Sequence, residues 1–317
     1  MSSSLRLVYW GTPEFATPPL RALLGEGFDV VGVVTQPDKP VGRSRSKLEA
    51  PPVKRLALDE GIPVLQPEKP RGVEFEARLR ELEPDASVVV AYGHIIPKAV
   101  LDLPTSGSFN VHASLLPALR GAAPIQGAIL EGLTETGVTI MRMVPALDAG
   151  PIVLQVRTPV PDDETYGELQ LRLSELGALA LVEAMTLVAL GRSREEPQDD
   201  SLATYAPKIE RESARIDWSR GAIAISRAIR AYDPRPGAFT THRGAPLKLF
   251  GVRILPTTGA EPGTIVDIDA DGMVVATEAG AVRVAQVQPA GKTRMTPVAL
   301  ARGRGIAVGD RLGSEHE

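Results

Sequence analysis

Cysteine is absent from all 317 residues, which excludes disulfides, a thiolate nucleophile and any cysteine-ligated zinc or iron–sulfur centre. Histidine is scarce. The four present, His94, His112, His242 and His316, show no H-E-x-x-H or comparable spacing, so no metal is expected. No run approaches the roughly 18 apolar residues that a membrane helix needs. The opening MSSSLRLVYWGTPEF passes directly into a strand pattern, without a basic segment ahead of an apolar one. A cytoplasmic protein is the expectation. The turn GTPEFA at Gly11–Ala16 lacks the glycines of a G-x-G-x-x-G dinucleotide fingerprint, although Gly11 suggests a chain close to something bound. Ser114 lies in no G-x-S-x-G elbow, and no helix-turn-helix, zinc finger or basic zipper occurs.

What is present describes a folded chain of more than one core. Hydrophobic content of 43% beside 23% charged residues is that of a globular protein, and 317 residues are long for a single domain. A net charge of -4 argues against indiscriminate nucleic-acid binding, yet it hides two basic clusters. The first holds Lys39, Arg43, Arg45, Lys47, Lys54 and Arg55 against Glu49 alone. The second, from Ala279 to Gly309, holds Arg283, Lys292, Arg294, Arg302 and Arg304 with no acid.

Periodicity predicts a strand over Leu5–Trp10, a helix opened by Thr12 as N-cap and Pro13 and ending near Gly25, and a second strand over Asp29–Thr35. Strand-helix-strand at this spacing implies a parallel βαβ unit. A long proline-rich loop, Gln36–Pro52, carries the first basic cluster. Helices are expected over Val53–Glu60 and Val73–Leu82, and a short strand over Ile62–Leu65. The β-branched run Ala86–Tyr92 reads as a central strand covered on both faces, with Tyr92, Gly93 and His94 at its exit. Strands at Val138–Met143 and Ile152–Val160, a helix at Ile125–Leu130 stopped by Gly132, and a long helix from Thr165 to Leu190 with a Thr165/Glu168 capping box complete a domain over residues 1–190. Residues 191–207 read as a linker. Beyond it, in 208–317, a helix over Ala222–Ala231 and five short alternating strands indicate a small antiparallel β-barrel of the oligonucleotide/oligosaccharide-binding (OB-like) kind.

Chemistry concentrates in Ser108–Gln126, SFNVHASLLPALRGAAPIQ. Alternation in Phe109-Asn110-Val111-His112 places Asn110 and His112 on one face where a strand runs out, which in open α/β sheets is the ligand-binding edge. Asp148 stands on the glycine-ended loop after the Val138–Met143 strand. It is expected at the same edge, brought there by a neighbouring crossover unit. An amide, an imidazole and a carboxylate suit acyl transfer to an amine. The amide holds the oxygen that gains charge, the imidazole moves the amine's proton, and the carboxylate fixes the imidazole tautomer or holds a relay water. Without a covalent nucleophile, transfer is direct in a ternary complex.

The sequence resembles the methionyl-tRNA formyltransferase family over essentially its whole length. The resemblance rests on Gly11-Thr12-Pro13, Thr35-Gln36-Pro37-Asp38, Val90-Ala91-Tyr92-Gly93, Asn110-Val111-His112, Ser114-Leu115-Leu116-Pro117, Arg120–Gln126, Leu147-Asp148-Ala149-Gly150, Ala214–Trp218 and Gln288–Lys292. It implies a Rossmann-like formyltransferase domain with a mostly parallel sheet, moving the formyl group of 10-formyltetrahydrofolate to the methionine amine of initiator tRNA, in a monomer. Asn110, His112 and Asp148 match the family's catalytic residues. Ser114, Leu115, Leu116 and Pro117 match its folate-contacting segment, and Tyr92 and Gly93 are expected to bind the folate with them. The loop with Lys39, Arg43, Arg45 and Lys47 matches an acceptor-stem contact, and the barrel with Lys292 and Arg294 a tRNA support. Asp233-Pro234-Arg235-Pro236 carries arginine where tryptophan is common. Two alternatives are a relative acting on a small amine, such as a sugar nucleotide or glycinamide ribonucleotide, and a non-catalytic RNA-binding protein.

Overall fold

Leu7, Val8, Tyr9 and Trp10 are each 1% exposed or less, so the strand that carries them is covered on both faces. The computed structural model describes residues 5–41, 47–257 and 259–313. In chain order its first elements are β1 (Arg6–Gly11), α1 (Thr17–Gly25), β2 (Asp29–Val34), β3 (Lys39–Val41), β4 (Lys47–Glu49), α2 (Pro52–Asp59), β5 (Val64–Leu65), α3 (Val73–Glu81), β6 (Ala86–Val90) and α4 (Lys98–Leu101). Then follow β7 (Ser108–His112), α5 (Pro124–Glu131), β8 (Glu135–Arg142), β9 (Ile152–Pro159) and α6 (Tyr166–Ala189). Seven strands form one sheet in the order β5-β2-β1-β6-β7-β8-β9. Pairing is parallel from β5 through β7 and antiparallel between β7 and β8. The mostly parallel sheet is as expected. The order reverses at β1, whose neighbours are β2 and β6, so a topological switch point lies between β1 and β6.

Two of the largest buried side chains of β1 find partners for their polar atoms. Tyr9 Oη donates to Ala16 O at 2.6 Å, and Trp10 Nε1 donates to Ser87 Oγ at 3.1 Å. Contrary to what its sequence context predicts, Thr12 does not cap a helix. A single 3-10 turn at Glu14–Ala16 precedes α1, and Thr12 Oγ1 donates instead to Tyr92 O, tying the exit of β1 to that of β6. Gly11 is explained by packing: a Cβ there would lie 2.8 Å from Ala16 Cβ and 3.2 Å from Val90 O. The long loop after β2 holds the antiparallel pair β3-β4, with Lys39 facing Glu49 in register.

Contacts divide the chain into two units, 1–121 with 136–158 and 170–205, and 122–135 with 159–169 and 206–317. This differs from the linear division at residues 190 and 208. Residues 191–205 pack on the first unit through a bridge of Glu196 to Ile152, and Arg142 pairs with Glu195, because polar side chains in that stretch find partners on β8 and β9. In the second unit are α7 (Ala222–Ala231), β10 (Phe239–His242), β11 (Ala245–Leu255), β12 (Ile265–Asp269), β13 (Gly272–Ala276), β14 (Ala281–Pro289) and α8 (Pro297–Arg302). The five strands form an antiparallel sheet in the order β10-β11-β14-β13-β12. Its outer strands are joined by the C-terminal segment: Gly313 N donates to Thr241 O of β10, and Gly309 N donates to Ile265 O of β12. That backbone pairing gives the OB-like barrel its closure. Trp218 is 5% exposed inside it and donates to Thr240 Oγ1 at 3.0 Å.

Candidate active site

β7 ends at His112, and its alternation puts Asn110 and His112 on one face while Phe109 and Val111 are buried on the other. His112 is 5% exposed and its Nε2 lies 3.0 Å from Leu119 O. A carbonyl oxygen only accepts, so Nε2 carries the proton and the neutral ring has its lone pair on Nδ1. Leu119 occupies the left-handed region at φ 58°, uncommon for a branched side chain, and this turn aims its carbonyl at the ring.

Asp148 reaches the site by a different route from that expected. Since β8 runs antiparallel to β7, with Arg142 opposite Phe109, its C-terminal end lies beside the start of β7 rather than its exit. The following loop returns to the imidazole, and Asp148 itself has φ 47°. Its Oδ2 sits 3.8 Å from His112 Nδ1 and accepts from Gly121 N at 2.8 Å. At 3.8 Å the carboxylate is outside direct hydrogen-bond range yet close enough to stabilise an imidazolium. The tautomer is therefore set by Leu119 O, not by Asp148. What the arrangement can do is accept a proton on Nδ1 and hold the resulting charge.

Asn110 is half-buried and its carboxamide makes no hydrogen bond among the described residues, which leaves it available to a ligand. The segment after His112 is braced from below. Thr139 Oγ1 donates to Ser114 O at 2.7 Å and accepts from Leu116 N at 3.1 Å, and Gln155 Nε2 donates to Leu116 O at 2.7 Å. Ser114 and Leu116 are buried, and Ser114 Oγ is occupied by Ala118 O, so the surface offered by this segment comes from the half-buried Leu115 and Pro117 and from backbone. Tyr92 is likewise 2% exposed; its ring packs edge-on to Trp10, and burial pushes its hydroxyl up to about 12. Gly93 is exposed at φ 90°, where a Cβ would lie 2.5 Å from Gln36 Nε2. His94 is exposed against the Tyr92 ring and is not among the groups facing Asp148.

Of the basic residues, Lys39 and Lys47 are exposed on β3 and β4, while Arg43 and Arg45 lie outside the described residues. Lys292 is exposed after β14. Arg294 is committed within its own unit: its guanidinium pairs with Asp233 Oδ1 at 2.9 Å and stacks 3.4 Å from the Phe250 centroid. Arg235 is exposed; burial pushes the Tyr166 hydroxyl up, against the opposing pull of a hydrogen bond with Gln126 and the positive charge of Arg235.

Sequence reasoning missed the groups that hold the site. Arg120 is 3% exposed, with Nη2 donating to Gln198 Oε1 at 2.7 Å and to Asp200 Oδ1 at 2.6 Å. Gln198 Nε2 donates to Asp148 O at 2.8 Å and to Gly150 O at 2.7 Å. The signal for Arg120 was its place in an otherwise apolar segment. Gln198 gave none, sitting in a polar stretch without periodicity.

Residues 5–185 match the formyl transferase family and 208–305 its C-terminal domain. The chain belongs to the formyl transferase family. Among similar members, the methionyl-tRNA formyltransferase of Geobacillus thermodenitrificans is 48% identical over 315 residues, covering 98% of both chains. That of Bacillus subtilis is 46% identical over 314 residues, covering 98% of this chain and 99% of its own. Fold likeness extends to HypX from Aquifex aeolicus, solved in complex with tetrahydrofolic acid, at a TM-score of 0.67 and 18% identity. It covers 94% of this formyl transferase but 47% of HypX. The sugar 3N-formyl transferase WlaRD, at a TM-score of 0.66 and 17% identity, covers 91% of this chain and 99% of its own. No helix among the described residues is long and apolar enough to cross a membrane.

Proposed function

We propose that this formyl transferase moves the formyl group of 10-formyltetrahydrofolate to the α-amino group of methionyl initiator tRNA. One observation carries the chemistry: with Nε2 bonded to Leu119 O, His112 presents a basic Nδ1 toward Asp148, beside the unpartnered amide of Asn110. The amine attacks the formyl carbon, and the negative charge that develops on oxygen is met by the Asn110 carboxamide. His112 Nδ1 takes the proton that the amine loses and Asp148 stabilises the imidazolium. Collapse breaks the bond from the formyl carbon to N10, and the proton passes to that leaving nitrogen, so one C–N bond replaces another and tetrahydrofolate departs. Near-identical length and 46 to 48% identity to relatives bearing the tRNA activity support the macromolecular acceptor. Exposed Lys39, Lys47 and Lys292 are available to meet phosphates. An enzyme of this kind works in the cytoplasm, with charged initiator tRNA and a folate co-substrate as its partners.

The test supplies purified protein with 10-formyltetrahydrofolate and either methionyl initiator tRNA or an amino sugar nucleotide, and weighs the product amine. Formylmethionine recovered from the tRNA is expected. Formylation of the sugar nucleotide alone would overturn the assignment.

A further inference from the structure

The stretch expected to be a linker holds both sides of the imidazole. On one side, Thr204 Oγ1 accepts from Leu119 N at 2.9 Å and Thr204 O accepts from Arg120 N at 2.8 Å, fixing the residue whose carbonyl binds His112 Nε2. On the other side, the Gln198 amide is fully used. Its Oε1 accepts from Arg120 Nε at 3.1 Å and Nη2 at 2.7 Å, and its Nε2 donates to the carbonyls of Asp148 and Gly150. None of these bonds reaches His112 itself. They span instead from the strap that follows Pro117 to the turn that holds Asp148 at φ 47°, a conformation an aspartate keeps only when its surroundings insist on it.

We infer that Gln198 is a positioning residue for the transfer reaction: its amide sets the separation of the Asp148 carboxylate from His112 Nδ1, and so how well the imidazolium is stabilised when the base takes its proton. This rests on the formyl-transfer reading above. Without the two donated bonds the Asp148 and Gly150 carbonyls lose their amide donor, and the carboxylate gains freedom to drift from a ring that Leu119 O still anchors. Gln198 bonds neither Asn110 nor the exposed lysines, so the effect is expected on the chemical step. Buried Arg120 would lose one acceptor and keep Asp200.

The experiment replaces Gln198 by Leu and, separately, by Met, whose length and unbranched stem suit the same space without either set of bonds. Histidine-labelled protein is titrated by NMR, with His112→Gln identifying the resonance, and kcat and KM are followed against pH. Expected in both variants are a His112 midpoint displaced downward, an acid limb of the kcat profile displaced with it, kcat reduced on the order of 10-fold, and KM for tRNA unchanged. A lowered melting temperature with the titration and the acid limb unmoved would assign Gln198 a purely structural role and overturn the inference. Loss of the fold in both variants would do the same. The titration needs no substrate, so it decides the matter even if the parent protein fails to formylate methionyl-tRNA, a result that would count against the proposed function alone.

Discussion

At Asp148 a single carboxylate oxygen serves two partners, Gly121 N at 2.8 Å and His112 Nδ1 at 3.8 Å, and the two have different weights. The first is a hydrogen bond that an amide oxygen could also accept. The second is purely a matter of charge. Asp148→Asn therefore keeps the local backbone contact and removes the stabilisation of the imidazolium. Steady-state kinetics of this variant should show kcat lower on the order of 10²-fold with KM little changed. A fall in kcat below about threefold would mean that Asp148 acts through structure alone. Asn110→Ala should cost about 10² to 10³-fold in kcat, the usual worth of one donor at a developing oxyanion, with the melting temperature held, because its amide has no partner among the described residues to lose.

Among the elements, β8 and α6 make the most specific demands. A Cβ on Gly137 would lie 2.1 Å from Val156 O and 2.6 Å from Leu115 Cδ2. Backbone on the neighbouring strand cannot yield, so Gly137→Ala should lower unfolding stability by about 3 kcal/mol, read from urea denaturation. The start of α6 is held by a reciprocal cap: Thr165 N and Oγ1 both donate to Glu168 Oε2, and Glu168 N donates to Thr165 Oγ1. These bonds, the hydroxyl's first, hold the Glu168 carboxyl below its ordinary range. A carboxyl depressed on folding stabilises above its unfolded value and ceases to as pH falls through its folded one. Glu168→Ala should thus be less stable by about 1 kcal/mol at neutral pH, with the difference shrinking in urea melts once pH drops below about 4.

Much of this was legible beforehand because it rests on local signals. β6 announced itself by its consecutive valines Val88, Val89 and Val90, α6 by its capping box, α7 by periodicity, and α5 by the glycine stop at Gly132, which adopts φ 69°. Asn110 and His112 were legible for the same reason, since a strand's alternation fixes which side chains share a face. The rest depends on pairing across long separations. No local pattern distinguishes a strand that will run antiparallel, so the route by which Asp148 returns is not legible in the sequence. Thr12 gave a helix cap by spacing but found a better acceptor in Tyr92 O, 80 residues away. The Gln198 stretch looked like a tether because its partners, Arg120 and the Asp148 turn, lie 78 and 50 residues distant.

For the whole molecule, a net charge of -4 coexists with exposed lysines at Lys39, Lys47 and Lys292, the groups proposed to meet tRNA phosphates. Replacing Lys39 and Lys47 by glutamine should weaken initiator tRNA binding and flatten the slope of log affinity against log salt by about 1 for each phosphate no longer neutralised, leaving tetrahydrofolate affinity unchanged. An unaltered salt slope would move the RNA surface elsewhere. The most direct trial of formyl transfer through His112 is single-turnover formylation of methionyl initiator tRNA by His112→Ala beside parent protein, with tRNA affinity measured in parallel. The expected result is a rate lower by roughly 10²-fold or more at an affinity within about twofold of the parent. An undiminished rate would contradict it.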